Sequence, residues 1–182
     1  GGAWNLNDVG EGLYELPFDG GFTYVGGSTY QFEFQHAGES YVTEVKNAPP
    51  REFITQFHPD AGYVAIEAGS TFTFTRPDPA LDEDRNIAFV NVFRVSGEGL
   101  SATPTWTNIP MDAQGLIKLV VAPNDWKRTT VVIPETAFPN RDETYLVMLL
   151  NAKIGLPKSK NLFSASAVIA GAADLGIVRT NK

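Results

Sequence analysis

Apolar and polar residues alternate with a period of two along much of the chain. In residues 30–34, Tyr30, Phe32 and Phe34 fall on one face, while glutamine and glutamate fall on the other. Residues 72–75 repeat this arrangement, with phenylalanine alternating with threonine. Because successive side chains of a β-strand point to opposite faces, the pattern predicts strands that are buried on one side.

Both aromatic segments follow a short turn of small residues. The turn is Gly-Gly-Ser-Thr at residues 26–29 and Ala-Gly-Ser-Thr at residues 68–71. Glycine adopts positive φ without strain, so each turn predicts a β-hairpin in which the preceding strand, 22–25 or 63–66, pairs with the aromatic strand. Beyond the turn and the aromatic alternation that follows it, the two sequences share nothing. We therefore interpret the likeness as one local solution used twice, with internal duplication as the alternative.

Further apolar segments predict additional strands along the chain. They are residues 41–45, 52–57, 87–95, 116–122, 126–133, 144–154 and 162–169. The segment 87–95 is almost continuously apolar, which indicates a central strand, or one covered on both faces. Propensity also allows a helix at 145–153 and a single helical turn at 170–175, but the neighbouring strands favour an extended chain at the first of these.

Together these segments predict an all-β protein of about ten strands, arranged as an antiparallel β-sandwich with a jelly-roll-like order. The 182 residues suffice for one domain with a substantial core. We therefore expect a single β-sandwich domain over residues 1–182, with residues 1–16 forming an N-terminal arm or an edge segment. Two long connections, 76–86 and 96–115, interrupt the regular spacing of the strands.

Composition and charge exclude several classes of partner. The formal net charge is −7 and no run of lysine and arginine occurs, which argues against binding to nucleic acid or to an anionic membrane surface. The chain has no cysteine, which excludes disulfides, thiolate metal sites and a cysteine nucleophile. The sequence contains neither a glycine-rich phosphate loop nor an apolar segment suited to spanning a membrane. We therefore expect no cofactor and no membrane span.

The connection 76–86 carries the one candidate metal site, and its signal is weak. Asp78, Asp82, Glu83 and Asp84 offer carboxylate oxygens of the kind that Ca²⁺ prefers. Their spacing lacks the glycine and the terminal glutamate of an EF-hand. A solvated acidic loop is the alternative interpretation.

Candidates for catalysis are sparse. The two histidines, His36 and His58, lie beside turns and outside metal-ligand spacing, and no Gly-x-Ser-x-Gly nucleophile motif occurs. Glu33 and Glu44 lie in predicted strands and form the best available pair for a glycosidase-like mechanism. Because solvent-facing glutamates are ordinary on antiparallel sheets, we predict that the chain is not an enzyme.

Three tryptophans are the candidate contact residues: Trp4, Trp106 and Trp126. Trp106 lies in a polar connection, where an indole either stacks on a sugar ring or a protein partner, or folds back over the core. Charged residues make up only 19% of the chain and aromatic residues 12%, a composition that suits burial against neighbouring subunits.

These observations favour a structural or adhesive module in a virion or surface appendage, whose partners are copies of itself or other subunits of the assembly. A carbohydrate-binding β-sandwich that uses the loop tryptophans to bind a glycan is the alternative. An enzyme that uses Glu33 and Glu44 is a third hypothesis.

Overall fold

The structure is a computed structural model of the chain that describes residues 2–10, 13–15, 21–77, 85–97, 99–101, 103–159 and 168–181. Strands make up most of its regular structure, and the described part holds twelve strands and one α-helix. The predicted all-β class is thereby confirmed.

The elements follow one another along the chain with short connections. The strands are β1 (Asn7–Gly10), β2 (Leu13–Glu15), β3 (Tyr30–His36), β4 (Glu39–Val45), β5 (Val64–Ile66), β6 (Phe72–Thr75), β7 (Ile87–Ser96), β8 (Gly99–Leu100), β9 (Trp106–Thr107), β10 (Thr130–Ile133), β11 (Thr144–Pro157) and β12 (Val168–Thr180). Helix α1 spans Ala113–Val121, and short 3-10 turns lie at Thr55–Phe57, Pro123–Trp126 and Glu135–Ala137. Among the strands that the structure describes, β1 and β2 pair only with each other, within the residues expected to form an arm or an edge segment.

The main sheet is built around β11, whose apolar sequence suits a strand with neighbours on both sides. β12 pairs antiparallel with one edge of β11, and β7 pairs antiparallel with the other. Past the segment of β11 that pairs with β7, Leu156 and Pro157 of β11 pair with β4, and β4 in turn pairs with β3. β5 runs parallel to β12, so the sheet is mixed rather than purely antiparallel as predicted. β8 and β9 pair with the far edge of β7.

The main core lies between the main sheet and the two-stranded pair β6–β10. Phe72 and Phe74 of β6 and Ile133 of β10 pack in one buried cluster with Val90 of β7 and Val147 of β11. Burial of each such side chain contributes about 1.5–3 kcal/mol before the entropy of ordering is subtracted. The phenylalanines of β6 are buried with the predicted period of two.

Helix α1 covers the opposite face of β7. Leu119 of α1 is buried together with Ile87 and Phe89 of β7. Residues 87–92 are consequently buried on both faces of the sheet. This arrangement confirms the prediction for 87–95 of a central strand, or one covered on both faces.

The prediction of a strand at 116–122 is wrong, because this segment lies in helix α1. The carboxylate of Asp112 accepts a hydrogen bond from the Gly115 backbone N–H at 2.8 Å and so caps the helix N-terminus. A short run of continuous apolar residues fits a helix as well as a strand. The capping residue Asp112 is therefore a better sequence signal for the helix than the apolar run. Within the described residues, no helix has the length and apolar character that crossing a membrane requires.

The two predicted hairpins are also wrong. β3 pairs with β4 through a turn at Ala37 and Gly38, whose φ angles are 51° and 82°, while residues 22–25 form no strand. β5 pairs with β12 and β6 pairs with β10, so the turn at 68–71 carries the chain from one sheet to the other. A turn of small residues permits either outcome, because its chemistry does not select the pairing partner.

The structure also corrects the type or the bounds of several shorter predicted elements. Most of the predicted strand 52–57 is irregular, with a 3-10 turn at its end. Residues 170–175, where propensity allowed a helical turn, lie inside β12. The strand predicted at 126–133 shortens to β10, because the chain forms a 3-10 turn as far as Trp126. Most of the predicted strand 162–169 lies outside the described residues.

Candidate functional site

Large exposed aromatic residues gather on one region of the molecule. Trp4, Phe22, Phe32 and Phe34 expose 40%, 39%, 38% and 55% of their surface, respectively. Trp4 contacts Phe22 and Phe22 contacts Tyr30, and Tyr30 shares one face of β3 with Phe32 and Phe34. We call the four exposed residues the aromatic surface. Monomeric soluble proteins rarely expose large contiguous apolar patches, so these exposed rings make the region a candidate for contact with a partner.

The hairpin formed by β3 and β4 presents the outer half of the aromatic surface. Phe34 lies opposite Tyr41, and the two rings stack with centroids 4.8 Å apart and planes 7° apart. At the base of the hairpin, Tyr30 lies opposite Val45 and packs with Ala48 in a third core. The hairpin is therefore fixed at its base, while its aromatic outer part stays exposed.

The inner half of the aromatic surface leans against the base of the hairpin. Trp4 meets Phe22 edge-to-face at 5.1 Å between centroids, and Phe22 meets Tyr30 at 5.8 Å. Tyr24 stacks on Tyr30 at 5.2 Å, and its hydroxyl donates a hydrogen bond to the Pro49 carbonyl at 2.6 Å. Burial raises the pKa of Tyr24, and the neighbouring Tyr30 raises it further. These contacts hold the segment that carries Phe22 in place.

The exposure of Phe32 and Phe34 differs from the sequence-based expectation. The alternation in β3 predicts that both rings lie on a buried face, as the phenylalanines of β6 do. Among the described strands β3 is instead the last of the sheet, and neither ring belongs to any of the three buried clusters that the described residues form. The pattern of alternation is the same in both strands, so it carries no signal that separates a covered face from a free one.

The structure places the three predicted contact residues in different surroundings. Trp4 belongs to the aromatic surface. Trp106, in β9, lies opposite Val92 of β7 and is half-buried against the main core. Trp126 is half-buried on the second core, where its indole N–H donates a hydrogen bond to the Asn108 carbonyl at 2.7 Å. The three tryptophans do not form one site, and their role in contacts stays a prediction.

The two strand glutamates lie on the polar face of the β3–β4 hairpin. Glu33 lies opposite Val42 and accepts a hydrogen bond from the Ser40 hydroxyl at 2.7 Å. Glu44 accepts a hydrogen bond from the Lys158 ammonium at 2.7 Å, and this bond is the main reason that the pKa of Glu44 is lowered. A glycosidase acid needs a raised pKa, so the surroundings of Glu44 do not suit that role.

A buried carboxylate, Asp174 of β12, is a polar feature that sequence reasoning missed. Its side chain is only 1% exposed, and it accepts a hydrogen bond from the Ile54 backbone N–H at 2.8 Å. His58 Nε2 lies 3.0 Å from both carboxylate oxygens, and Arg51 Nε lies 3.4 Å from one of them. The ring of Phe53 stacks on His58 at 4.5 Å. Because all these partners belong to one connection, the carboxylate anchors that connection to β12.

The calcium candidates Asp78, Asp82, Glu83 and Asp84 lie outside the described residues. Within the part of the chain that the structure describes, no group of three or more histidine, aspartate or glutamate side chains is placed to hold a metal ion.

Comparison of the chain with protein-family models, with curated proteins and with solved structures gives no match. The interpretation of the aromatic surface therefore depends on its own chemistry. Aromatic rings are rigid and bury a large apolar area at a low cost in conformational entropy. They suit the surface of a partner protein and the apolar face of a sugar alike.

Proposed function

We propose that the chain is a non-enzymatic structural or adhesive module of a multi-subunit assembly, of the virion or surface-appendage type. Its partners are copies of itself or other subunits, and the aromatic surface makes the contacts. The observation that carries this proposal is the exposure of Phe32 and Phe34 on an edge hairpin whose base is packed. Exposed rings in such numbers favour association, because a partner that covers them removes apolar area from water.

We also propose that the fold is a predominantly antiparallel β-sandwich of jelly-roll type. The support for this is the main core, where β6–β10 packs across the main sheet. The mechanism of such a module is passive. A closely packed core holds the hairpin in a fixed direction, which reduces the entropy lost when a partner binds.

The native mass of the chain tests the proposed assembly function. We expect sedimentation equilibrium of the wild-type chain to show a species larger than the monomer. Phe34→Ser is expected to shift the population toward the monomer, because it removes the most exposed ring of the aromatic surface. Val132→Ser is the matched control, since Val132 is an equally exposed apolar residue on a different strand, β10. A wild-type chain that stays monomeric at every concentration would contradict the proposal.

Carbohydrate binding is the second candidate, and the exposed ring of Phe34, held by its stacking on Tyr41, favours it as a surface on which a sugar ring can stack. Trp4 lies in the same surface, so its fluorescence reports on occupancy. If this function is correct, a polysaccharide changes the fluorescence of the wild-type chain and the change is lost in Trp4→Phe. An unchanged spectrum across a glycan panel would remove this alternative.

A further inference from the structure

We propose that the outer edge of β3 pairs with the same edge of a second copy of the chain, and that the two-fold axis passes at Phe34. The two main sheets then form one continuous sheet across the axis. The proposal rests on the assembly function proposed above, and it names the partner and the contact. A two-fold interface of this kind uses the same surface patch from both copies.

The outer edge of β3 has the properties of a strand that is open to pairing. β3 is the last strand on its side of the main sheet, and no described strand pairs with its outer edge. Its pairing with β4 runs in unbroken register, so no bulge twists the edge away. Proline and lysine, which commonly protect an edge, do not occur in its sequence YQFEFQH.

The turn geometry determines which backbone groups face the open edge. His36 and Glu39 flank the two-residue turn, so they form the hydrogen-bonded pair that closes the hairpin. Hydrogen-bonded and non-hydrogen-bonded pairs alternate along an antiparallel ladder. The backbone N–H and C=O groups of Gln31, Glu33 and Gln35 therefore point away from β4 and toward the open edge.

Side-chain chemistry restricts the register of the pairing. A two-fold axis perpendicular to the sheet keeps the aromatic faces on one side, and the longest overlaps of β3 with itself are centred on Phe32, Glu33 or Phe34. Centring on Glu33 sets two carboxylates directly opposite each other, and like charges in that position are destabilising.

Centring on Phe32 is disfavoured by the chain around Tyr30. That register brings Tyr30 and the two residues before it into the interface. The Tyr30 hydroxyl already accepts a hydrogen bond from the Val25 backbone N–H at 2.6 Å. The Tyr30 ring also contacts Phe22 and stacks on Tyr24. Tyr30 is therefore engaged with its own chain, whereas this register would set it opposite Phe34 of the second copy.

Centring on Phe34 avoids both of these problems. Phe34 lies opposite Phe34 of the second copy, and each of these rings is backed by a stacked Tyr41. Glu33 lies opposite Gln35 of the second copy, where a carboxylate accepts a hydrogen bond from an amide. Phe32 lies opposite His36 of the second copy. Residues 33 and 35 of both copies add about four backbone hydrogen bonds across the axis.

Engineered cysteines test this register directly, because the chain contains no cysteine of its own. Phe34→Cys in the full chain is expected to form a disulfide-linked dimer in a glutathione redox buffer. The paired Cα atoms of a non-hydrogen-bonded position lie about 4.5 Å apart, within disulfide range. Phe32→Cys and His36→Cys are each expected to stay unlinked alone and to link to each other when the two variants are mixed.

Ser40→Cys is the control, since Ser40 is exposed on β4, away from the outer edge of β3. We expect no dimer from it. A disulfide dimer of Phe32→Cys alone would overturn the register, and so would failure of the mixed Phe32→Cys and His36→Cys variants, which keep Phe34, to link. If the circular dichroism of Phe34→Cys differs from that of the wild type, this variant is not folded correctly. The register is then decided by whether the mixed Phe32→Cys and His36→Cys variants link to each other.

The outcomes separate this proposal from the one on which it rests. A wild-type chain that associates, with cysteine variants that do not link, overturns the β3 pairing and leaves the assembly function in place. A glycan or a different protein on this edge gives that same unlinked result. A wild-type chain that is monomeric at every concentration overturns both.

Discussion

Among single residues, Asp174 shows how a side chain outside the aromatic surface fixes the fold. Its buried carboxylate satisfies a backbone N–H and lies against an imidazole and a guanidinium from the connection around His58. These partners are more than a hundred residues away in the sequence. Local patterns therefore identify Asp174 only as an isolated acid in an apolar strand and do not reveal what it binds.

Asp174→Asn is expected to lower the free energy of unfolding by about 1–3 kcal/mol. The substitution replaces one carboxylate oxygen, which accepts hydrogen bonds, with an NH2 group, so a donor that faces this position loses its acceptor. Urea unfolding measures this loss. Asp60→Asn is the control, since Asp60 is exposed in the same part of the chain, and it is expected to leave the midpoint unchanged. Equal midpoints for both variants would contradict the anchoring role of Asp174.

Two tryptophans are expected to respond differently to truncation. Trp106→Ala is expected to lower the free energy of unfolding by about 2 kcal/mol, less than the 3–5 kcal/mol of a fully buried aromatic residue, because Trp106 is half-buried. Trp4→Ala is expected to change it by no more than about 0.5 kcal/mol, since Trp4 lies at the surface. Thermal unfolding compares the two, and a larger loss for Trp4→Ala would show that the surroundings of these residues are described incorrectly.

Among the secondary-structure elements, the strongly apolar segments were predictable and the pairing of the weaker ones was not. The segments 87–95 and 144–154 carry enough continuous apolar sequence to predict β7 as a central strand and β11 as a strand. The turns at 26–29 and 68–71 permit a reversal without selecting the strand that follows as a partner. Those partners, such as β10 for β6, are set by the packing of the core.

Leu119→Ala tests the packing of helix α1 on β7. Leu119 is the buried residue of the helix, so we expect its truncation to cost about 2–4 kcal/mol of the free energy of unfolding. Ile117→Ala is the control in the same helix, because Ile117 is exposed. Urea unfolding is the measurement. Equal costs for the two variants would contradict the assignment of the buried face.

The ion pair between Glu44 and Lys158 predicts a pH dependence of stability. The pKa of Glu44 is lowered in the folded state. The pair's stabilisation is therefore present above the usual carboxyl pKa and is lost as the pH falls through the lowered value. Glu44→Gln is expected to be less stable than the wild type at neutral pH, with the difference vanishing in acid, as measured by urea unfolding. Glu67→Gln is the exposed control, and a difference that persists in acid would contradict this account.

At the scale of the whole molecule, two properties act in opposite directions on self-association. The net charge of −7 makes copies of the chain repel one another. The aromatic surface and the open edge of β3 favour contact. Whether a partner covers the surface was not predictable from the alternation in β3, because the sequence pattern is identical for a covered and an exposed face.

Sedimentation equilibrium of the wild-type chain over a range of concentrations and salt tests the central claim most directly. We predict a reversible dimer or larger species that becomes more stable as salt rises, because added ions screen the repulsion and leave the apolar contacts intact. A monomer at all concentrations, at low and at high salt, would contradict the account.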